Sequence, residues 1–266
     1  MNELIPWFGL KRYPFDKEIR AADLVDSEPL RECTARLEYL RRRGGIMLLT
    51  GDPGVGKTVA LRRFVDRLNE NLFRALYTPL TTLRGADLLR HLNDKLGLTN
   101  RAAKGTIYRQ IQEEILDSRE QRGRTLVLIL DEAHLLQVGA LQELRLLTNF
   151  RMDSFDPFLL ILAGQSELRR TMDFAVMEPF AQRLAMRYHM SGLSHQETAE
   201  YIRHQLKLAG AHEPIFADDA LAAIHEATYG IPRKIGALAE QAMTYAMFAD
   251  KRTVDADMVL KVKIGG

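Results

Sequence analysis

The chain has 266 residues, of which 46% are apolar and 27% are charged, so its composition is that of a globular protein and not of a disordered one. The 37 Lys and Arg residues nearly balance the 35 Asp and Glu residues, which excludes a generally polybasic protein but leaves room for a local basic patch. Cys33 is the only cysteine, so the chain forms no internal disulfide and no cysteine zinc site, and we expect a cytoplasmic location. No apolar run approaches the ~20 residues that span a bilayer.

Short apolar runs alternate with helical patterns over the first two thirds of the chain. After an irregular arm and a basic helix, the runs that predict strands are 46–50, 73–78, 125–130, 158–163 and 186–190. The stretches between them that predict helices are 57–71, 84–96, 104–119 and 138–150. Strands that alternate with helices predict a parallel sheet with helices on both faces.

The pattern changes near Ser191. The remaining helical stretches have no strand between them, and they are 195–209, 218–228, 233–248 and 255–262. The sequence therefore predicts an N-terminal arm at 1–27, an α/β nucleotide-binding domain at 28–190 and a small all-α domain at 191–266.

A glycine-rich segment follows the first predicted strand and opens the next helix. Glycines allow backbone N–H groups to point into one concavity, where the positive end of the helix dipole also lies. Lys57 can then reach the β- and γ-phosphates of a nucleotide, and the Thr58 hydroxyl can ligate Mg²⁺. The residues that match G-x-x-x-x-G-K-[ST] are Gly51, Asp52, Pro53, Gly54, Val55, Gly56, Lys57 and Thr58.

Two carboxylates, Asp131 and Glu132, end the third predicted strand. At the carboxyl end of a parallel strand, Asp131 can hold the Mg²⁺ shell directly or through water, and Glu132 can polarise the attacking water. The phosphate loop and this acidic pair together predict Mg²⁺-dependent hydrolysis of ATP. We assign His134 a packing or positioning role in preference to metal ligation.

The segment 131–134 and the segments downstream of it resemble the AAA+ ATPase superfamily. The opening segments 8–10 and 13–15, together with Gly164-Gln165, resemble the ExeA/GspA-type ATPases and the related transposition helper ATPases of the TniB, TnsC and MuB group. The similarity extends over nearly the whole chain. It implies a P-loop AAA+ fold, in which a parallel α/β domain is followed by a small helical lid domain.

The resemblance also implies roles for three further residues. Gln165 follows a segment similar to the sensor 1 strand and would read the γ-phosphate or the water. Arg183 lies in a segment similar to the one that carries the arginine finger, with Arg187 as the competing candidate. Arg233 ends Gly230-Ile231-Pro232-Arg233, which is similar to sensor 2, and would swing onto the γ-phosphate when the lid closes. A finger acting between subunits implies a homo-oligomer, either a ring or a helical filament.

The target of the ATPase stays open among three hypotheses. Transposition helpers are of about this length and bind double-stranded DNA, on which a chain of this type would oligomerise and recruit or regulate a transposase. No segment of this sequence resembles a helix-turn-helix reader, so we expect little sequence preference. Secretion-type members carry a transmembrane helix and a cell-wall-binding region after the ATPase, whereas this sequence ends at Gly266, so its length favours the helper type. The third hypothesis is a nucleotide switch whose ATP state recruits a partner without binding DNA.

The resemblance to the helper ATPases implies a DNA-binding region after the second predicted strand. Lys, Arg and Thr side chains that contact phosphates suit DNA binding without sequence preference. A solvated helix face is the alternative interpretation of the same residues. The candidate DNA contacts are Thr82, Arg84, Arg101 and Lys104.

Overall fold

A computed structural model of the chain describes residues 3–16, 23–79, 85–99 and 103–264. These residues form two compact units. The α/β unit comprises the described parts of 32–51 and 57–190, and the helical unit comprises those of 1–31, 52–56 and 191–266. The domain limits drawn from the sequence remain predictions.

The α/β unit is built on one five-stranded parallel sheet, which confirms the predicted fold class. The strands are β1 (Gly45–Gly51), β2 (Phe73–Pro79), β3 (Thr125–Asp131), β4 (Leu159–Gly164) and β5 (Leu184–Met190). Their order is β2-β3-β4-β1-β5, and every pairing is parallel. The three central strands are buried along their whole length, whereas the two edge strands are partly exposed. Burial on both faces explains why the central strands are continuous apolar runs.

Helices connect the strands and flank the sheet. They are α2 (Glu28–Arg43), α3 (Lys57–Asp66), α4 (Gly85–Lys95), α5 (Lys104–Glu120), α6 (Val138–Leu147), α7 (Ser166–Met172) and α8 (Glu178–Ala181). In α5, Ile107, Ile111 and Ile115 recur at intervals of four, so they share one helix face, and all three are buried in the core of this unit.

Helix α3 is shorter than the sequence pattern predicts. It ends at Asp66, whereas apolar periodicity predicts a helix as far as residue 71. The side chain of Asn69 accepts a hydrogen bond from the N–H of Asn71 at 2.9 Å. A turn closed by an Asn side chain competes with helical hydrogen bonding, which accounts for the early end.

The helical unit combines the N-terminal arm with the last four helices. Its helices are α1 (Leu4–Trp7), α9 (His195–Leu208), α10 (Asp218–Thr228), α11 (Pro232–Phe248) and α12 (Ala256–Ile264). Leu4 and Leu10 of the arm are buried in the same core as Ile202 and Ile235. The sequence pattern predicts an irregular arm. In the structure this arm is part of the hydrophobic core of the helical unit. None of the helices in the described part of the chain is long and apolar enough to cross a membrane.

Candidate nucleotide site

The carboxyl edge of the sheet brings together the ends of four strands. Thr50 of β1 pairs with Gly164 of β4, and Pro79 of β2 pairs with Asp131 of β3. Since all strands are parallel, the residues that follow them emerge at one edge. Ligands of open α/β sheets bind outside this edge.

Lys57 is a buried cation at the first position of α3. Only 6% of the residue is exposed, and its Nζ donates a hydrogen bond to the carbonyl of Gly51 at 2.7 Å. A buried ammonium group requires acceptors, because its desolvation is otherwise unfavourable. Its place after the glycine-rich loop is the one that phosphate binding needs.

Thr58 joins the phosphate loop to the acidic pair. Its Oγ1 donates to Oδ2 of Asp131 at 2.8 Å. Asp131 is 2% exposed, and its Oδ1 accepts the N–H of Glu132 at 2.9 Å. A hydroxyl and a carboxylate in contact offer a metal ion hard oxygen ligands, which Mg²⁺ prefers. The residues present therefore fit the metal that the motifs imply.

Glu132 adopts a left-handed backbone conformation with φ of 57°. Such a conformation is unfavourable for a residue with a side chain, and it is found at functional turns. The Glu132 carboxylate is half-exposed, and its Oε2 lies 3.4 Å from Nδ1 of His134. The same Nδ1 accepts the backbone N–H of Gln165 at 3.4 Å. His134 thus lies between the predicted base and the predicted sensor residue, and its positioning role stays a prediction.

Arg183 makes contacts within its own chain. Its Nη1 donates to the carbonyl of Arg145 at 3.0 Å and lies 3.2 Å from Oγ1 of Thr148. Arg145 lies in the last turn of α6, where carbonyls lack helical partners, and Thr148 is the residue that follows the helix. The Thr148 hydroxyl also donates to the Arg145 carbonyl, at 2.8 Å. Arg187 is exposed and donates to the carbonyl of Ala181 at 2.9 Å. The assignment of either arginine as a finger remains a prediction.

In the helical unit, Arg233 contacts the tip of the phosphate loop. Its backbone N–H donates to the carbonyl of Gly54 at 3.3 Å, and its side chain is exposed at the start of α11. The preceding Gly230 has φ of +69°, and a Cβ there would lie 1.9 Å from the carbonyl oxygen of Leu193. Only glycine fits this turn, which sets the start of the helix.

The predicted DNA contacts are only partly described. Thr82, Arg84 and Arg101 lie outside the described residues. Lys104 lies at the first position of α5 and forms an ion pair with Glu143, with 2.5 Å between Nζ and Oε1.

Tyr77 contacts the site but was not predicted from the sequence. Its hydroxyl donates to Oδ2 of Asp131 at 2.7 Å. Burial raises the pKa of Tyr77 most. The hydrogen bond to Asp131 and the negative charges of Asp131 and Glu132 raise it further, so the phenol stays protonated. Its position next to the end of a predicted strand, one residue before Thr78, is the signal that marks it.

Fold and sequence motifs together define a P-loop protein of the α/β class. A family model described as "AAA domain" matches residues 40–172. The chain belongs to this AAA domain family. It is also 35% identical over 244 residues to General secretion pathway protein A of Aeromonas hydrophila, an alignment that covers 90% of this chain and 44% of that protein. The resemblance to ExeA/GspA-type ATPases is thus confirmed, and the chain spans less than half the length of this relative.

Solved structures share the fold over most of the chain. Drosophila ORC bound to DNA matches with a TM-score of 0.69 and 19% identity, covering 98% of this chain and 65% of that one. Cdc6p from Pyrobaculum aerophilum matches with a TM-score of 0.66 and 18% identity, covering 94% and 69%. The RuvB Holliday junction branch migration motor of Thermotoga maritima matches with a TM-score of 0.58 and 19% identity, covering 96% and 73%. At these identities the similarity establishes the fold.

Proposed function

We propose that this chain binds ATP with Mg²⁺ and hydrolyses it to ADP and phosphate. The observation that carries the proposal is the 2.8 Å hydrogen bond between Thr58 Oγ1 and Asp131 Oδ2. This bond brings the phosphate-loop residue that would ligate the metal into contact with the carboxylate that would hold the metal's shell. Membership of the AAA domain family supports the same activity.

Each side chain of the site has its own role in the proposed reaction. Lys57 would hold the terminal phosphates together with the N–H groups of the loop. Thr58 and Asp131 would hold Mg²⁺, which neutralises phosphate charge when bound. Glu132 accepts a proton from the attacking water at its exposed carboxylate.

Three other residues complete the proposed site. Gln165 orients the attacking water. Arg233 binds the γ-phosphate, and Arg183 or Arg187 stabilises the transition state in a neighbouring subunit. The active form is therefore a homo-oligomer.

Phosphate release tests the catalytic part of the proposal. Purified protein should release phosphate from ATP with Mg²⁺ and stop when EDTA removes the metal. Release that is unaffected by EDTA, or the absence of nucleotide binding, would contradict it.

We further propose that the ATP-bound form assembles in the cytoplasm as a ring or filament on double-stranded DNA and recruits or regulates a transposase. The fold shared with ORC bound to DNA and with the RuvB branch migration motor supports DNA as the partner. Binding without sequence preference would rest on phosphate contacts from Thr82, Arg84, Arg101 and Lys104. Lys104 has to leave its ion pair with Glu143 to make such a contact.

A second candidate is a secretion-associated or partner-recruiting ATPase that does not bind DNA. The 35% identity to General secretion pathway protein A favours it. Imaging of the protein with random double-stranded DNA, with Mg²⁺ plus ATP or ADP and at two salt concentrations, separates the candidates. ATP-dependent assemblies that weaken with salt support DNA binding, because each phosphate contact releases counterions. Intact ATPase activity without DNA association supports the second candidate.

A further inference from the structure

The hydrogen bond from Tyr77 to Asp131 has no part in the reaction described above. Tyr77 of β2 pairs with Ile129 of β3, so Asp131, two residues further along, projects from the same face of the sheet. Tyr77 lies on an edge strand and is 42% exposed, whereas Asp131 is 2% exposed. The bond therefore links a buried carboxylate to a side chain that water reaches.

Both oxygens of Asp131 are engaged by donors. Oδ1 accepts the N–H of Glu132 at 2.9 Å, and Oδ2 accepts the hydroxyls of Thr58 at 2.8 Å and of Tyr77 at 2.7 Å. A carboxylate oxygen has two lone pairs in its plane, so two donors fill Oδ2. This oxygen has no capacity left for a third partner.

Metal binding at Thr58 involves this oxygen, because a cation held by the Thr58 hydroxyl would lie next to Oδ2, which this hydroxyl contacts, whereas Oδ1 accepts the N–H of Glu132. Oδ2 is then placed to ligate the cation or to accept a hydrogen bond from its water, and its two hydroxyl donors leave no lone pair for either. One of the two hydroxyl donors therefore gives way. Thr58 is itself the proposed metal ligand, whereas Tyr77 is 42% exposed and belongs to an edge strand. Tyr77 is the donor that can leave.

We propose that Tyr77 is a positioning residue that holds Asp131 in the metal-free state and releases it when Mg²⁺ and ATP bind. The inference rests on the proposed nucleotide function and adds a regulation of the same site. The orientation of an exposed tyrosine at the edge of the sheet then depends on metal loading. Tyr77 acts through Asp131 and touches no reacting atom.

A magnesium titration measures the competition between Tyr77 and the metal. With a fluorescent, non-hydrolysable ATP analogue bound, the Tyr77→Phe chain should reach half-saturation at about tenfold lower Mg²⁺, the effect of removing one charge-assisted hydrogen bond. Affinity for the analogue in EDTA should not change. Tyr39→Phe, which alters an exposed tyrosine of α2, is the matched control and should leave both values unchanged.

Fluorine NMR of the chain labelled with 3-fluorotyrosine observes the release itself. The chain has eight tyrosines, and the resonance lost in Tyr77→Phe identifies Tyr77. This resonance should shift when Mg²⁺ is added to the analogue-loaded protein, and the Tyr39 resonance should not. If the analogue binds with Mg²⁺ but the Tyr77 resonance stays in place, or Tyr77→Phe needs as much Mg²⁺ as the parent chain, the inference is wrong. If no nucleotide binds, the proposed function fails first and this inference fails with it.

Discussion

The backbone N–H of Arg233 donates to the carbonyl of Gly54 at 3.3 Å, so the first turn of α11 contacts the tip of the phosphate loop. Gly54 has φ of +84°, and a Cβ placed on it would lie 2.6 Å from the Cβ of Arg233. Real Cβ contacts are not this short, so a larger residue at position 54 must displace either the loop or the arginine. Glycine is thus required here both by the backbone angle and by the close approach of a second element.

Gly54→Ala should weaken binding of ATP by about tenfold or more, because the clash with Arg233 moves the loop away from its phosphate-binding geometry. Titration with a fluorescent nucleotide measures the change. Gly97→Ala is the matched control, since Gly97 has φ of +83° and open space around its Cβ position. It carries the same backbone cost of about 1–2 kcal/mol without the clash. Equal nucleotide affinities in the two variants would show that the contact does not shape the loop.

Glu132→Gln should retain ATP but hydrolyse it about 10²–10⁴-fold more slowly, because the amide cannot accept the proton of the attacking water. Single-turnover phosphate release together with nucleotide binding separates the two effects. Glu70→Gln, at an exposed position of the same unit, should behave as the parent chain. Turnover of Glu132→Gln at the parental rate would remove Glu132 from the role of base.

Arg183→Ala should lower stability by roughly 1 kcal/mol, because the Arg145 carbonyl loses one of its two donors and keeps only the Thr148 hydroxyl. Arg187→Ala, which removes an exposed contact, should cost less. Thermal unfolding measures both.

Mixing two inactive variants tests whether Arg183 acts as an arginine finger or only stabilises the end of α6. Lys57→Ala should not bind nucleotide, and Arg183→Ala should bind it without turnover. If Arg183 acts in a neighbouring subunit, mixed oligomers contain interfaces with one intact loop and one intact finger, so ATPase activity returns on mixing. Activity that stays absent would assign Arg183 to the helix end alone. Restoration in the same experiment with Arg187→Ala would instead identify Arg187 as the finger.

Glu197→Gln should destabilise the helical unit by about 1 kcal/mol at neutral pH, since Glu197 forms a capping box with Ser194 at the start of α9. Partial burial raises the pKa of Glu197, but hydrogen bonds from Glu28 and Ser194 outweigh it and bring the pKa below the ordinary value of 4.5. Because the pKa of Glu197 is lower in the folded state than in the unfolded state, its ionised form stabilises the fold at pH values above the unfolded-state pKa. This stabilisation is lost as the pH falls through the folded-state pKa.

Unfolding by urea between pH 7 and pH 3 tests this dependence. The difference between the parent chain and Glu197→Gln should shrink as the pH falls below about 4.5. Glu200→Gln changes an exposed glutamate of the same helix and should show no such trend. A difference that is constant over this range would mean that the charge of Glu197 does not stabilise the cap.

Local patterns determined most of the fold. Apolar runs such as 125–130 predict buried strands, because a strand covered on both faces has no polar side, and all five runs are strands in the structure. The phosphate loop and the pair Asp131 and Glu132 are equally local, since a few consecutive residues specify each motif. The parallel sheet follows from the alternation of strands and helices along the chain.

Tertiary structure alone decided which side chains meet. Tyr77 reaches Asp131 only because the register of β2 against β3 places them on one face, and no pattern within either strand encodes that register. Arg183 binds the end of α6, 38 residues earlier in the chain. Leu4 and Leu10 of the N-terminal arm pack in the core of the helical unit. Two apolar residues give no periodic pattern, and they are far in sequence from the other residues of that core. Contacts between residues distant in sequence depend on how whole helices and strands pack. The motifs are therefore readable in the sequence, whereas the side chains that contact them are known only from the tertiary structure.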